Sequence, residues 1–363
     1  MKITYEGFYG FQNAGDDAFV EVSSWGAQKF WSCTNNVFIG AQLPNTVQAI
    51  KARESKGKGL DRISFLRELK NSDYMISAGG STFSKLPFHS NKAVGRIVSK
   101  YNNLKLGAIG VSVGPFKSIA DEKQVQKYLK HLTFISLRDQ RSYDYVSSLH
   151  LKAKVVNSFD LAALMPMMYK HTPLKVSTKA TAKTIGISIC NYEQYTGGNL
   201  SRQTKRNDYF KQLVDLLIAQ TNYNLKVFII NGNNSFGDTN ATNKLLEGVD
   251  PKRYKTYPYT PNIKSTWDEI STCDFMISTR LHASIFACYA GVPFVLIEYH
   301  RKCSDFLDDV GQHPRLRVMD GEISPTETLQ QVIEHIEMPY TAPKRIKETI
   351  DRSLLNFTQT LAL

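Results

Sequence analysis

The stretch from Cys273 to Ile297 constrains the fold of this chain more than any other. Phe275 to Ile277 is an apolar run of strand length. Ser278 and Thr279 follow it and are residue types that cap helices. From Leu281 to Ala290 the apolar residues recur with helical spacing. Gly291 suits the left-handed position that closes a helix, and Val292-Pro293 blocks its continuation. Phe294 to Ile297 is then a second buried strand. This strand–helix–strand unit sets Arg280 and His282 at the mouth of the helix. A helix start presents unpaired N–H groups and partial positive charge. An arginine and a histidine added there make a site for a phosphate or a carboxylate. The competing reading pairs Arg280 with a surface carboxylate and packs His282 into the core.

A chain of 363 residues has room for two domains, and 42% hydrophobic and 11% aromatic residues can fill their cores. The net charge of +12 points to anionic partners: phosphorylated substrates, nucleic acid or an anionic membrane surface. Nucleic acid is disfavoured, because there is neither a basic tail nor an interleaved aromatic-basic pattern. Cys33, Cys190, Cys273, Cys288 and Cys303 are scattered and form no CxxC pair. That argues against zinc and against a disulfide framework, and it suits a reducing cytoplasm. No cluster of ligating residues is evident, so no metal is expected. The N-terminus lacks an apolar signal core. The longest apolar run, Ala283 to Ile297, is short and interrupted by Gly291 and Pro293, so no membrane span is expected. Peripheral attachment through basic surface stays open.

Met1 to Tyr5 reads as a strand, Gly7 to Ala18 as a glycine-containing loop, and Ala18 to Phe30 as a helix. The glycine spacing is not GxGxxG, and Asp16 and Asp17 at the helix start would repel a pyrophosphate. A nicotinamide site is therefore rejected. Carboxylates accept well from sugar hydroxyls; alternatively Asp16 merely caps the helix. The basic stretch 41–70 reads as solvated surface, with Glu54 to Gly59 an exposed loop. Tyr74 to Ser77 is a strand whose exit, Ala78-Gly79-Gly80-Ser81, falls where α/β sheets line their ligand crevices. Phe134 to Leu137 is a strand ending in Arg138, which can fork an anion or pair with Asp139 or Asp144. Tyr169 to Lys183 reads as the interdomain linker, and Asn191 to Arg206 as a polar loop able to act as a lid. Arg301 and Lys302 near a later helix start could hold phosphate, or lie on the surface. The fold expected is α/β: two Rossmann-like, doubly wound domains facing a cleft, GT-B-like. The boundaries are 1–172, 173–344 and a C-terminal helix over 345–363.

Several of these segments together resemble the polysaccharide pyruvyl transferases. Gly7 to Ala18 is similar to that family's Gly-Tyr-Tyr-Gly…Asn-x-Gly-Asp-Asp/Glu-Ala opening, with Phe8 for the first tyrosine. Gly79-Gly80-Ser81 resembles its Gly-Gly-Gly-Ser/Asn-x-Phe segment, with Ala78 departing at the first glycine. Gly110, Ser112 and Gly114 resemble a Gly-x-Gly-x-Gly-Pro stretch, and Arg138-Asp139 with Ser142 an Arg-Asp-x-x-Ser pattern. Ser278 to Ala283, Ala290 to Pro293, Tyr299 and Lys302 resemble its C-terminal signature.

The resemblance implies an enzyme that moves a pyruvyl group from phosphoenolpyruvate to a sugar, forming a pyruvate ketal. The sugar would belong to a cell-surface polysaccharide or its lipid-linked precursor. The N-terminal domain would be the acceptor side and the C-terminal domain the phosphoenolpyruvate side. Arg280 and Arg138 would serve the two anionic groups of the donor, and His282 proton transfer. Asp16, Asn13, Gly79, Gly80, Ser81 and Lys302 would bind substrate. No cofactor is expected beyond phosphoenolpyruvate as donor substrate. The expected place is the cytoplasm, with the inner face of the membrane open as a peripheral site. Two other classes remain at this point: a GT-B-type glycosyltransferase using a nucleotide sugar, and a non-catalytic glycan-binding protein of the same fold.

Overall fold

The computed structural model describes residues 1–40, 42–44, 47–50, 60–171, 183–338 and 341–361. The exposed loop expected over Glu54 to Gly59, and residues 172–182 of the linker expected over Tyr169 to Lys183, lie outside the described residues. The chain divides into two compact units. The first comprises Met1–Phe11, Asp16–Met168 and Lys347–Leu363; the second comprises Gln12–Gly15 and Tyr169–Ile346.

In chain order the first unit carries β1 (Lys2–Glu6), α1 (Ala14–Trp31, entering from the second unit's short N-terminal segment), β2 (Asn35–Ile39) and β3 (Gln48–Ile50). Then come α2 (Leu60–Lys70), β4 (Tyr74–Ala78), α3 (Asn91–Tyr101), β5 (Lys105–Val111) and α4 (Ile119–Leu129). It continues with β6 (Leu132–Leu137), α5 (Gln140–Ser148), β7 (Lys154–Asn157) and α6 (Met165–Tyr169). The seven strands form one parallel sheet in the order β3-β2-β1-β4-β5-β6-β7. The central strands are buried almost from end to end, which is why β4 and β5 do not alternate apolar with charged residues; β1 buries Thr4 and Glu6 as well.

The second unit runs β8 (Thr184–Ser188), α7 (Tyr192–Thr196), α8 (Leu200–Gln220), β9 (Asn224–Phe228), α9 (Thr239–Leu245), β10 (Tyr254–Tyr257) and α10 (Ile263–Ser271). It goes on through β11 (Phe275–Ser278), α11 (Leu281–Ala290), β12 (Phe294–Glu298), α12 (Arg301–Val310), β13 (Arg317–Met319) and α13 (Pro325–Glu337). Its six strands are also parallel, in the order β10-β9-β8-β11-β12-β13. Gly291 closes α11 at φ +79°, as its place in the sequence predicts. In each unit the strand order reverses once, between β1 and β4 and between β8 and β11. Such reversals part the loops at the strand C-termini and open a ligand crevice.

The polar stretch Asn191 to Arg206 is not a loop. It holds α7 and the first two turns of α8. Gly197, at φ +72°, closes the first helix, and the Asn199 side chain accepts from Ser201 N–H and Arg202 N–H to start the second. Arg206 explains why so polar a segment is ordered. It is 3% exposed and donates to both Glu193 oxygens and both Asp320 oxygens.

The last helix, α14 (Ile346–Thr358), packs on the first unit. The Trp31 indole donates to the Phe357 carbonyl at 2.7 Å. A β-carbon added at Gly26 would fall 2.2 Å from the Phe357 ring. Asn356 is fully buried; its Oδ1 accepts from Ser136 at 2.6 Å and Ser158 at 3.0 Å, and its Nδ2 donates to the Phe159 and Ser353 carbonyls. Replacing Asn356 by alanine would strand several of these groups at once. Asn356→Ala should cost about 3 kcal/mol in urea unfolding of the first unit. A loss below about 1 kcal/mol would show that the helix is held by its aromatic contacts alone.

Candidate active site

In the first unit, Gly79 and Gly80 leave β4 in left-handed conformations, φ +72° and +75°. A β-carbon on Gly79 would lie 2.3 Å from the Phe19 ring, so the chain passes where only glycine fits. Gly80 is more open, and a β-carbon there would be 4.0 Å from Asp16 Oδ1. The turn backbone and the Asp16 carboxylate therefore share one place. Asp16 lies inside the first turn of α1 rather than at its cap. The capping bond comes from Asn13, whose Oδ1 accepts from Gly15 N–H at 3.0 Å. Below this turn Tyr9 donates to the Ala78 carbonyl, and burial with the nearby Glu6 and Asp16 carboxylates holds its phenol well above the ordinary value.

Arg138 at the end of β6 pairs with neither of its sequence neighbours. Its Nη1 donates to Asp160 at 2.7 Å, its Nε to the Ser112 hydroxyl at 2.8 Å and its Nη2 to Ser81 at 3.2 Å. Asp139 is occupied in capping α5 through Ser142 N–H. The structure thus brings Arg138 and Ser81 together, with the Arg138 charge balanced by Asp160. Nothing local to the sequence marks Asp160 or Ser112 as partners of this arginine.

In the second unit, Arg280 occupies the N-cap position of α11. Ser278 and Thr279, expected as caps, do other work: the Ser278 hydroxyl donates to the Arg280 carbonyl, and Thr279 Oγ1 accepts from Cys190 N–H at 2.9 Å. The Arg280 fork closes on Asp238, with Nε donating to Oδ2 at 2.7 Å and Nη2 to Oδ1. Asp238 is fully buried and also accepts from Asn231 N–H at 3.0 Å. The partner is thus a buried carboxylate, not a surface one. Burial opposes the Arg280 charge, but Asp238 outweighs it and keeps the guanidinium pKa above its ordinary value. Burial likewise pushes the Asp238 carboxyl upward, against the pull of Arg280. Arginine does not surrender its proton, and a neutral acid beside it would leave a buried charge uncompensated, so the ionised pair stands at neutral pH. The remaining Arg280 nitrogen, Nη1, lies 3.5 Å from the Tyr195 hydroxyl.

His282 is the second residue of α11, and its ring is tilted against Phe286 with centroids 6.3 Å apart. Gly15, which belongs to the same unit, lies against it: a β-carbon there would be 2.1 Å from Nδ1. Residues 12–15 are held in place by Ala14 N–H donating to the Ile230 carbonyl and Gly232 N–H to that of Gln12. Asn13 forms an antiparallel bridge with Asn231. Arg280, His282 and Asn13 are thereby gathered around the loop after β9. Lys302, at the start of α12, places its ammonium 5.7 Å from the Tyr192 ring, on which His300 also packs. Among the described residues no group of three or more His, Cys, Asp or Glu side chains is placed to hold a metal ion.

Parallel sheets of this strand order, twice over, define a two-domain Rossmann-like protein of GT-B type. Solved structures agree on the fold. A putative UDP-N-acetylglucosamine 2-epimerase from Listeria monocytogenes superposes with a TM-score of 0.62 at 8% identity, over 99% of this chain and 92% of its own. The UDP-GlcNAc 2-epimerase of Neisseria meningitidis gives 0.56 at 12% identity, over 98% and 96%. An Anabaena protein in complex with UDP and glucose gives 0.53 at 13%, over 99% and 95%. No curated protein matched by sequence. The chain belongs to the polysaccharide pyruvyl transferase family, whose model matches residues 13–301. It is a transferase, a pyruvyl transferase acting on polysaccharide.

His300 gives the second unit a titration that can be measured. Its Nδ1 accepts from Lys302 N–H at 3.2 Å, capping α12, which only a neutral ring can do. Burial, with Lys302 and Arg301 beside it, lowers its pKa from 6.5 to about 4. The unfolded chain therefore binds this proton first, and stability falls as pH drops from about 6.5 toward 4. The loss should be about 2 kcal/mol, and His300→Asn, which can still cap, should flatten it in unfolding curves taken across that range.

Proposed function

We propose that the protein transfers the pyruvyl group of phosphoenolpyruvate to a sugar hydroxyl pair, giving a pyruvate ketal and inorganic phosphate. One observation carries this reading: Arg280, with its fork clamped by Asp238, stands at the start of α11 with His282 two residues on. Asp238 takes the Nε edge of the guanidinium and fixes its plane. Nη1, whose long contact to the Tyr195 hydroxyl a stronger acceptor would replace, and the first N–H groups of α11 would then serve a small dianionic or carboxylate-bearing donor. Lys302 adds a positive charge on the same unit.

The chemistry follows from the donor. A proton adds to C3 of phosphoenolpyruvate, and positive charge develops at C2. One sugar oxygen bonds to C2 and loses its proton. A second sugar oxygen then displaces the phosphate as the C2–O bond to phosphorus breaks, and its proton leaves as well. His282 serves proton transfer, since imidazole titrates near neutrality. Arg280 stabilises the departing phosphate and the retained carboxylate. On the first unit, Asp16 and the Gly80 backbone accept and donate to sugar hydroxyls. Arg138, already balanced by Asp160, suits hydroxyl recognition beside Ser81 better than it suits a second anion. The donor is itself the reactive group, so no resident cofactor enters the scheme. It is also a cytoplasmic metabolite, which would put the reaction on that side, on a polysaccharide or its lipid-linked precursor.

Two measurements test this. Phosphoenolpyruvate should raise the melting temperature, and the rise should shrink at high salt. Stabilisation by a nucleotide sugar and none by phosphoenolpyruvate would overturn the reading in favour of glycosyl transfer. Arg280→Lys keeps the charge but loses the fork, and should weaken donor binding by about 1–3 kcal/mol. His282→Asn should spare donor binding and cut phosphate release by about 10²- to 10⁴-fold. Equal turnover in folded His282→Asn would end its assignment to proton transfer.

A further inference from the structure

We infer that the outer face of the α2–α3–α4 layer in the first unit is a docking surface for an anionic lipid bilayer. The three helices follow crossovers that step along the sheet in one direction, so right-handed connection puts them on the same side. α2 packs on α3, and α3 on α4. Along α2, Ile63, Leu66, Arg67 and Lys70 are all exposed and recur at the spacing of a single helix face. α3 repeats the pattern with Ile97, Lys100 and Tyr101. Lys70 and Tyr101 line one surface groove, so the two faces adjoin. On α4, Ile119, Lys123 and Lys127 continue it.

Scattered exposed apolar residues mean little by themselves. Here they are large and strongly exposed. Phe88, just ahead of the Ser90 cap of α3, is 89% exposed, Tyr101 82% and Ile119 72%. The cations between them are not held in ion pairs. Among the described residues, Arg67, Lys70, Lys100, Lys123 and Lys127 form no salt bridge. Of the nearby carboxylates, Glu68 pairs with Lys2, while Asp121 and Glu122 keep their charge on the same helix as Lys123 and Lys127, so the excess positive charge of the layer is on α2 and α3. Apolar side chains interleaved with uncompensated cations fit a headgroup layer, where the rings enter the acyl boundary and the ammonium groups meet phosphate. A second copy of the chain would set like charge against like charge. No helix among the described residues is long and apolar enough to cross a membrane, so the attachment inferred is a peripheral one.

The test is sedimentation of the full chain with vesicles at low salt. Vesicles of phosphatidylcholine with about one-third phosphatidylglycerol should carry the protein down, and pure phosphatidylcholine should not. Two variants, Phe88→Ser/Ile97→Ser/Tyr101→Ser and Lys70→Glu/Lys100→Glu, should each bind at least about tenfold more weakly. All changed residues are exposed, so melting temperatures should stay at the wild-type value. Absence of binding to the anionic vesicles, or binding that neither variant weakens, overturns the inference. So does a lipid-free dimer in light scattering that Ile97→Ser dissolves, since it would assign the face to a second copy. Phosphate release from phosphoenolpyruvate onto a soluble glycoside is measured on the same variants. Its failure in the wild type counts against the reaction, not against the surface.

Discussion

A buried carboxylate holds the second unit's arginine in place, and the candidate site there depends on it. Asp238 has no exposure to solvent and Arg280 very little, so each charge is tolerable only because the other is present. Asp238 also accepts from the backbone N–H of Asn231 and donates its own N–H to the Asn231 carbonyl. The loop after β9 is thereby locked to the start of α11. Residues 12–15 hang on the same loop, and through Gly15 they set the backbone against His282. One ion pair thus fixes the plane of a guanidinium and anchors the loop on which the segment beside the imidazole rests. Fixed donors cost no reorganisation when charge develops, which is the condition for electrostatic stabilisation of a reacting anion.

The first unit uses the same device with a different outcome. Arg138 also sits at a strand end and is also matched by a carboxylate from another segment, Asp160. Two more of its donors go to serine hydroxyls. The result is a polar surface with balanced charge, next to an open glycine turn and the Asp16 carboxylate. Such a surface suits hydroxyl groups. It follows that the net charge of +12 is not explained by the two arginines assigned to the site. Part of the excess lies on α2 and α3, where it acts on the approach of anionic surfaces rather than on the chemistry.

How far the sequence could be read depended on whether the order in a segment was local. Strands buried on both faces gave apolar runs, and Gly291 with Pro293 punctuated α11, so the parallel architecture was legible. Asn191 to Arg206 was not. Its residues are polar, and its order comes from Arg206 reaching Glu193 within the segment and Asp320 far outside it. The alternative that Asp16 caps α1 gives way to a local neighbour: Asn13, just before the helix, makes the bond.

By itself the sequence determined the two parallel sheets, the strand exits and helix starts that can line a crevice, and the residue types standing there: Asp16, Gly79 and Gly80, Arg138, Arg280 and His282. These follow from periodicity and backbone preference, which a chain carries locally. Only the tertiary structure decided what each residue faces. Asp238 lies 42 positions from Arg280, Asp160 lies 22 from Arg138, and Asn356 lies 220 from Ser136. None of those pairings has a local signal, because a buried charge or amide takes whichever partner the packing of the sheets brings within hydrogen-bond reach.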